Sequence, residues 1–225
     1  METHCGHTVR PRRQGRPHRS RLLRGETLNG IARIAERFDR LRLRKEAALV
    51  PYFVAGYPSL SATREHLWEA FEGGASLVEL GIPFSDPVAD GPTIQRASHA
   101  ALVKGMTQRK SLELIAGMRK EGFDLPVIGM TYANLLYKDG FAKTAKAWSA
   151  AGMDGAIVPD ISLEDAGDFK HAWKQSRLAT TFFVAPSTND ARVKKALASS
   201  TGFLYLVAVY GTTGARRDVA PDTLS

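Results

Sequence analysis

The sequence predicts an α/β fold, a (β/α)8 (TIM) barrel that is incomplete in this chain, with an N-terminal amphipathic helix. Three observations carry that reading. Short apolar strands alternate with amphipathic helices, an order that calls for a parallel sheet covered by helices. Strand centres recur about every 25 residues, except across one gap about twice as long. The GxGxxG fingerprint of a dinucleotide-binding sheet does not occur. Six strands can be counted where a closed barrel needs eight, so about six of eight strands are expected, with the last two βα units lacking.

The elements follow in order. Ile31, Ile34, Phe38 and Leu41 recur at helical spacing and mark the first helix. Strands are expected at Leu49–Ala55, Ala75–Leu80, Pro126–Thr131, Gly155–Pro159, Thr180–Ala185 and Phe203–Ala208. Helices are expected at Ser61–Phe71, Gln95–Lys104, Arg109–Lys120, Phe141–Ala151, Leu163–Gln175 and Asp190–Ala198. The long gap, between the second and third strands, holds an extra helix and an acidic loop.

Charge divides the chain of 225 residues unevenly. Of the net charge of +8, residues 1–30 supply seven arginines against Glu2 and Glu26, leaving a nearly neutral body. Residues 1–30 therefore read as a basic, disordered tail, and 31–225 as the partial barrel domain. An Arg-rich tail can bind nucleic acid, but this one lacks interleaved aromatics and any nucleic-acid fold signature, so such a partner is not expected. No run of eighteen apolar residues is present, so no membrane partner is expected. The single Cys5 excludes an intramolecular disulfide and fits a reducing, cytoplasmic setting. His4, Cys5 and His7 are potential metal donors, but three donors in a polar tail do not define a site, and no metal is expected.

The loop that fills the long gap carries the chemistry. Val78–Gln95 reads VELGIPFSDPVADGPTIQ, with Glu79, Asp86 and Asp90 spaced among Gly81, Pro83, Pro87, Gly91 and Pro92. A carboxylate at the end of a buried strand, followed by a stiff loop with two more, is how a parallel α/β enzyme presents an acid/base group. The plain alternative is that the aspartates only cap turns, which suits Asp86 well and Glu79 poorly. An acid near the inner end of a strand loses hydration and persists there with a task or a partner.

These residues resemble the alpha subunit family of tryptophan synthase. The resemblance rests on Pro51–Pro58 (PYFVAGYP), Glu79–Gln95, Tyr132–Asn134 (YAN), Gly152–Asp160 (GMDGAIVPD) and Gly211–Ala215 (GTTGA), in the family's order and spacing. It implies a barrel lyase that cleaves indole-3-glycerol phosphate to indole and glyceraldehyde 3-phosphate by a retro-aldol reaction, without metal or organic cofactor in this subunit. It implies Glu79 as the proton-transferring acid/base and Asp90 as acceptor of the indole N–H. Tyr52, Met130, Ile157, Phe183 and Tyr205 match positions lining the indole pocket, with core packing as the alternative for each. Thr213, between Gly211 and Gly214, matches a loop that closes onto Asp90. Tyr132 reads as a structural hydrogen-bonding residue beside the acid, and Asp86, Pro83 and Pro87 as loop scaffold and partner contact.

The implied partner is the beta subunit, which would carry pyridoxal phosphate, in an alpha-beta-beta-alpha tetramer. The family's phosphate site is built from loops after strands seven and eight, which this chain is expected to lack. The alternative function is accordingly a non-catalytic fragment that at most docks on the beta subunit.

Overall fold

The computed structural model describes residues 29–207. The expected basic tail up to residue 28, and Gly211, Thr213 and Gly214, lie outside the described residues.

The first helix, α1 (Gly30–Arg44), is longer than its apolar repeat suggested. Asn29 caps it, its side-chain oxygen accepting from the Ala32 N–H at 3.1 Å, and Lys45 ends it in the left-handed region at φ 55°. Asn29 and Gly30 thus belong to the helix rather than to the tail. The next units are β1 (Tyr52–Val54), α2 (Leu60–Glu72) and β2 (Val78–Gly81). The acidic loop leads into α3 (Pro92–Val103), which begins three residues early because Pro92 suits a first helical turn, its missing N–H costing nothing there. The extra helix of the long gap is α4 (Gln108–Lys120), capped by the Thr107 hydroxyl.

Then come β3 (Val127–Met130), α5 (Ala133–Tyr137), α6 (Phe141–Ala151), β4 (Gly155–Ile157) and α7 (Gly167–Gln175). The one-turn α5 has too few residues to show a helical repeat and is not legible in the sequence. The start of α7 moves from Leu163 to Gly167 because Ser162 accepts from the Asp165 N–H and holds that stretch as a turn. The last elements are β5 (Ala179–Thr181), β6 (Phe183–Val184), α8 (Asp190–Ser199) and β7 (Tyr205–Leu206).

Strands β1 to β5 form one parallel sheet in sequence order, and β6 pairs with β7, also in parallel. The expected fifth strand is therefore split. The Phe182 N–H is taken by the Ser200 hydroxyl at 3.1 Å, while the Phe182 carbonyl accepts from the Tyr205 N–H at 3.0 Å. The chain switches ladder at that residue, from β4 on one side to β7 on the other. Among the described residues the wall does not close into a complete barrel.

Two apolar clusters define the layers. One lies between the outer strand faces and the helices, around Leu80, Val127, Trp148, Phe169 and Trp173. The other fills the concave face, where Leu77, Ile128, Ile157 and Ala179 meet Ile34 of α1. That helix plugs the N-terminal end of the wall. It seats so closely that a Cβ on Gly30 would stand 2.3 Å from the Asp154 carbonyl oxygen, so only glycine fits.

Beneath it a charged network joins three elements. Asp154 is fully buried, and its carboxylate accepts from Arg119 of α4 at 2.7 Å and from the Val127 N–H at 2.7 Å. Arg33 of α1 pairs with it at 3.2 Å. Arg119 also donates to the carbonyls of Gly152, Phe123 and Leu125, so its fork fastens the starts of β3 and β4 together.

Candidate active site

The site is built from strand alternation. Side chains two apart on a strand share a face, and aligned residues on neighbouring parallel strands share it too. Tyr52 aligns with Glu79, and Glu79 with Ile128. One layer higher Gly81 aligns with Met130, and Met130 with Ile157. Phe183 aligns with Tyr205, their ring centroids 5.0 Å apart. Since Ile128, Ile157, Met130, Phe183 and Tyr205 all belong to the inner cluster, Glu79 and Tyr52 face inward with them.

Glu79 is 6% exposed on β2, and burial pushes its carboxyl up to about 7. No cation pairs with it among the described residues. Desolvation without compensation is what raises a carboxylate, and it leaves both protonation states populated near neutral pH.

Asp90 approaches Tyr52 from the loop, and the Tyr52 phenol feels the charges of both Asp90 and Glu79. Asp90 is 7% exposed, and burial raises its proton affinity while a hydrogen bond from the Tyr132 hydroxyl opposes that rise. Its backbone is fixed on both sides: its N–H donates to the Pro87 carbonyl at 3.0 Å, and its carbonyl accepts from the Gln95 amide at 2.9 Å. Tyr132 holds the loop at further points. Its hydroxyl accepts from the Ala89 N–H at 3.0 Å, and its ring stacks on Phe84 at 5.2 Å between centroids. Tyr132 itself follows β3 just before α5, whose first N–H, on Ala133, donates to the Asp160 carboxylate at 2.8 Å.

The other sequence candidates divide. Tyr52, Met130, Phe183 and Tyr205 are half-buried around Glu79, and the raised proton affinity of Tyr205 reflects burial and then the Glu79 charge. Ile157 is fully buried, so it packs within the inner cluster rather than opening onto a cavity surface. Asp86 is exposed and accepts from the Ser85 hydroxyl; Pro83 is buried where the loop leaves the wall. Pro87 shapes the turn through its carbonyl, and beside it Val88 projects into solvent, 77% exposed.

Three contributors were missed from sequence: Gln95, Asp160 and Phe84, each acting through a contact that links separate elements. Gln95 and Phe84 sit within the acidic block and Asp160 ends the GMDGAIVPD block, so the only sequence signal was that company. Among the described residues, no group of three or more His, Cys, Asp or Glu side chains is placed to hold a metal ion, and no helix is long and apolar enough to cross a membrane.

Two buried carboxyls, one on a strand and one on a clamped loop, therefore face an apolar and aromatic wall at the C-terminal end of a parallel sheet. The family model described as "Tryptophan synthase alpha chain" matches residues 38–225. The chain belongs to the tryptophan synthase alpha chain family. The alpha chain of Methanosarcina acetivorans is 45% identical over 197 residues, covering 88% of this chain and 71% of that relative. That of Roseiflexus sp. is 43% identical over 189 residues, covering 84% of this chain and 72% of the relative.

Solved structures agree. The alpha subunit from Legionella pneumophila superposes with a TM-score of 0.76 at 32% identity, covering 80% of this chain and 68% of that one. Tryptophan synthase of Mycobacterium tuberculosis gives 0.78 at 35% identity, covering 85% and 74%. The wall of βα units is thus the tryptophan synthase alpha chain barrel, and the family's activity is the lyase reaction on indole-3-glycerol phosphate in tryptophan biosynthesis.

Proposed function

We propose that this chain cleaves indole-3-glycerol phosphate to indole and glyceraldehyde 3-phosphate, with Glu79 as the group that both gives and takes the proton. The observation that carries this reading is an inward-facing carboxyl held near pKa 7 at a strand's C-terminal end, beside a second buried carboxyl clamped in place. Protonation of indole C3 by Glu79 makes the ring an electron sink. Removal of the proton from the hydroxyl on the adjacent side-chain carbon then lets the C–C bond break. Its electron pair returns to the ring and the oxygen becomes the aldehyde carbonyl, so Glu79 ends as it began.

Asp90 accepts from the indole N–H and stabilises the positive charge that grows on the ring. Tyr132 positions Asp90, and Tyr52, Met130, Phe183 and Tyr205 surround the indole, with Ile157 packed behind them. Thr213, Gly211 and Gly214 are assigned to closure over Asp90 by resemblance. Asp86, Pro83 and Pro87 are assigned to the loop scaffold, with exposed Val88 supporting a contact surface for the partner.

The partner is the beta subunit of tryptophan synthase, a reading supported by the similarity to the Mycobacterium tuberculosis enzyme and to the tryptophan synthase complex of Pyrococcus furiosus. Pyridoxal phosphate is assigned to that partner and no cofactor to this subunit. The setting is cytoplasmic, in keeping with a single cysteine.

The test is indole release by the chain and by Glu79→Gln, run alongside activation of a beta subunit. A loss of about 10²–10⁴-fold in cleavage with retained beta-subunit activation is expected. Near-normal turnover by the variant would remove Glu79 from its role. Activation without any cleavage by the parent would leave the docking fragment as the correct reading.

A further inference from the structure

Tyr52 carries more than a ring into the site. It aligns with Glu79 on the neighbouring strand, and its phenol tip lies over Gly81, the next inward position of β2. A Cβ built on Gly81 would stand 2.1 Å from the Tyr52 hydroxyl and 2.7 Å from the carbon bearing it. Glycine at 81 thus makes room for that hydroxyl one layer above the Glu79 carboxyl. Phenylalanine would fill the apolar role equally well, so the oxygen, not the ring, requires an explanation.

The chemistry of the surroundings narrows what it does. Burial, and then the charges of Asp90 and Glu79, raise the proton affinity of the phenol, which remains a donor at any working pH. Among the described residues its hydroxyl has no hydrogen-bond partner. A donor needs an acceptor. On the substrate, the indole offers only its N–H, which is itself a donor and goes to Asp90. The acceptors are the glycerol oxygens and the phosphate. The oxygen that loses its proton must come within reach of Glu79, whose strand position aligns with Tyr52.

We propose that the Tyr52 hydroxyl donates a hydrogen bond to the glycerol hydroxyl oxygen that Glu79 deprotonates, and so selects substrates hydroxylated beside the scissile bond. The proposal rests on the lyase reading above. The hydrogen bond persists as that oxygen becomes a carbonyl, so Tyr52 orients the reacting group while the aromatic wall holds the indole.

The test compares two ligands by titration calorimetry in the non-turnover Glu79→Gln chain, with and without Tyr52→Phe. One ligand is indole-3-glycerol phosphate. The other is its deoxy analogue, with the indole and phosphate but neither glycerol hydroxyl. Tyr52→Phe is expected to weaken binding of the first about 3- to 10-fold and leave the second unchanged, the range set by one hydrogen bond. Equal weakening of both ligands would overturn the proposal in favour of ring packing or of a bond to Asp90. No weakening of either would overturn it by showing the hydroxyl idle. If the chain with Tyr52 intact binds neither ligand, the lyase reading itself fails and this proposal falls with it.

Discussion

Glu79 and Asp90 at the C-terminal ends of the strands, and Asp154 at the N-terminal end, are all nearly inaccessible to water, yet their surroundings are opposite in kind. Asp154 receives two guanidinium groups and a backbone N–H. Among the described residues Glu79 receives no cation, and Asp90 receives a phenol hydroxyl. Burial raises the proton affinity of Asp154, while Arg119, Arg33 and the Val127 N–H oppose that rise and fasten α1, α4, β3 and β4 into one base. Glu79, with no such counterweight among the described residues, is left poised to change its protonation. Burial alone therefore does not distinguish a structural acid from a reactive one; the donors around it do.

Breaking the lower network gives the largest expected effect. Arg119→Met leaves Asp154 buried with part of its charge uncompensated, and about 3–5 kcal/mol of stability should be lost, seen as a lower urea midpoint. An unchanged midpoint would mean that Arg33 and the Val127 N–H suffice.

The upper carboxyls should respond through rate instead. Asp90→Asn keeps the shape and removes the charge, and turnover is expected to fall about 10²–10³-fold with little change in melting temperature. Asp90→Glu should lose less. A normal rate for Asp90→Asn would cancel the assigned contact with the indole N–H.

The smallest effect sharpens the comparison through pH. Glu79 has a folded pKa of about 7, above its ordinary 4.5, so between those values the unfolded chain releases its proton while the folded chain keeps it. The unfolded state binds fewer protons there, and stability falls as pH rises through that window, by up to about 3 kcal/mol. Glu79→Gln has no such proton. Its stability relative to the parent should therefore rise from pH 5 to pH 8 in parallel denaturant titrations. A constant difference would show that Glu79 is not desolvated in the folded chain.

Much of this was readable in one dimension. The alternation of apolar runs with amphipathic stretches announces a parallel wall, because each strand must be covered on both faces. Glu79 stood out as a charge inside such a run, and Asp90 followed from the Pro/Gly-stiffened block. Elements shorter than their own periodicity were not readable: α5 spans five residues, and the break at Phe182 depends on a hydroxyl 18 residues further along the chain. Nor could Asp154 be told from Asp160 within GMDGAIVPD, although one anchors the base and the other supports the Tyr132 segment.

The sequence by itself determined the order of the βα units and the family, since these depend on neighbours along the chain. Only the tertiary structure decided which carboxylates are paired and which are left poised, how Tyr132 clamps Asp90, and why Gly81 yields its place to the Tyr52 hydroxyl. Those outcomes depend on register between strands and on contacts across tens of residues, and the local pattern of apolar and polar positions does not encode them.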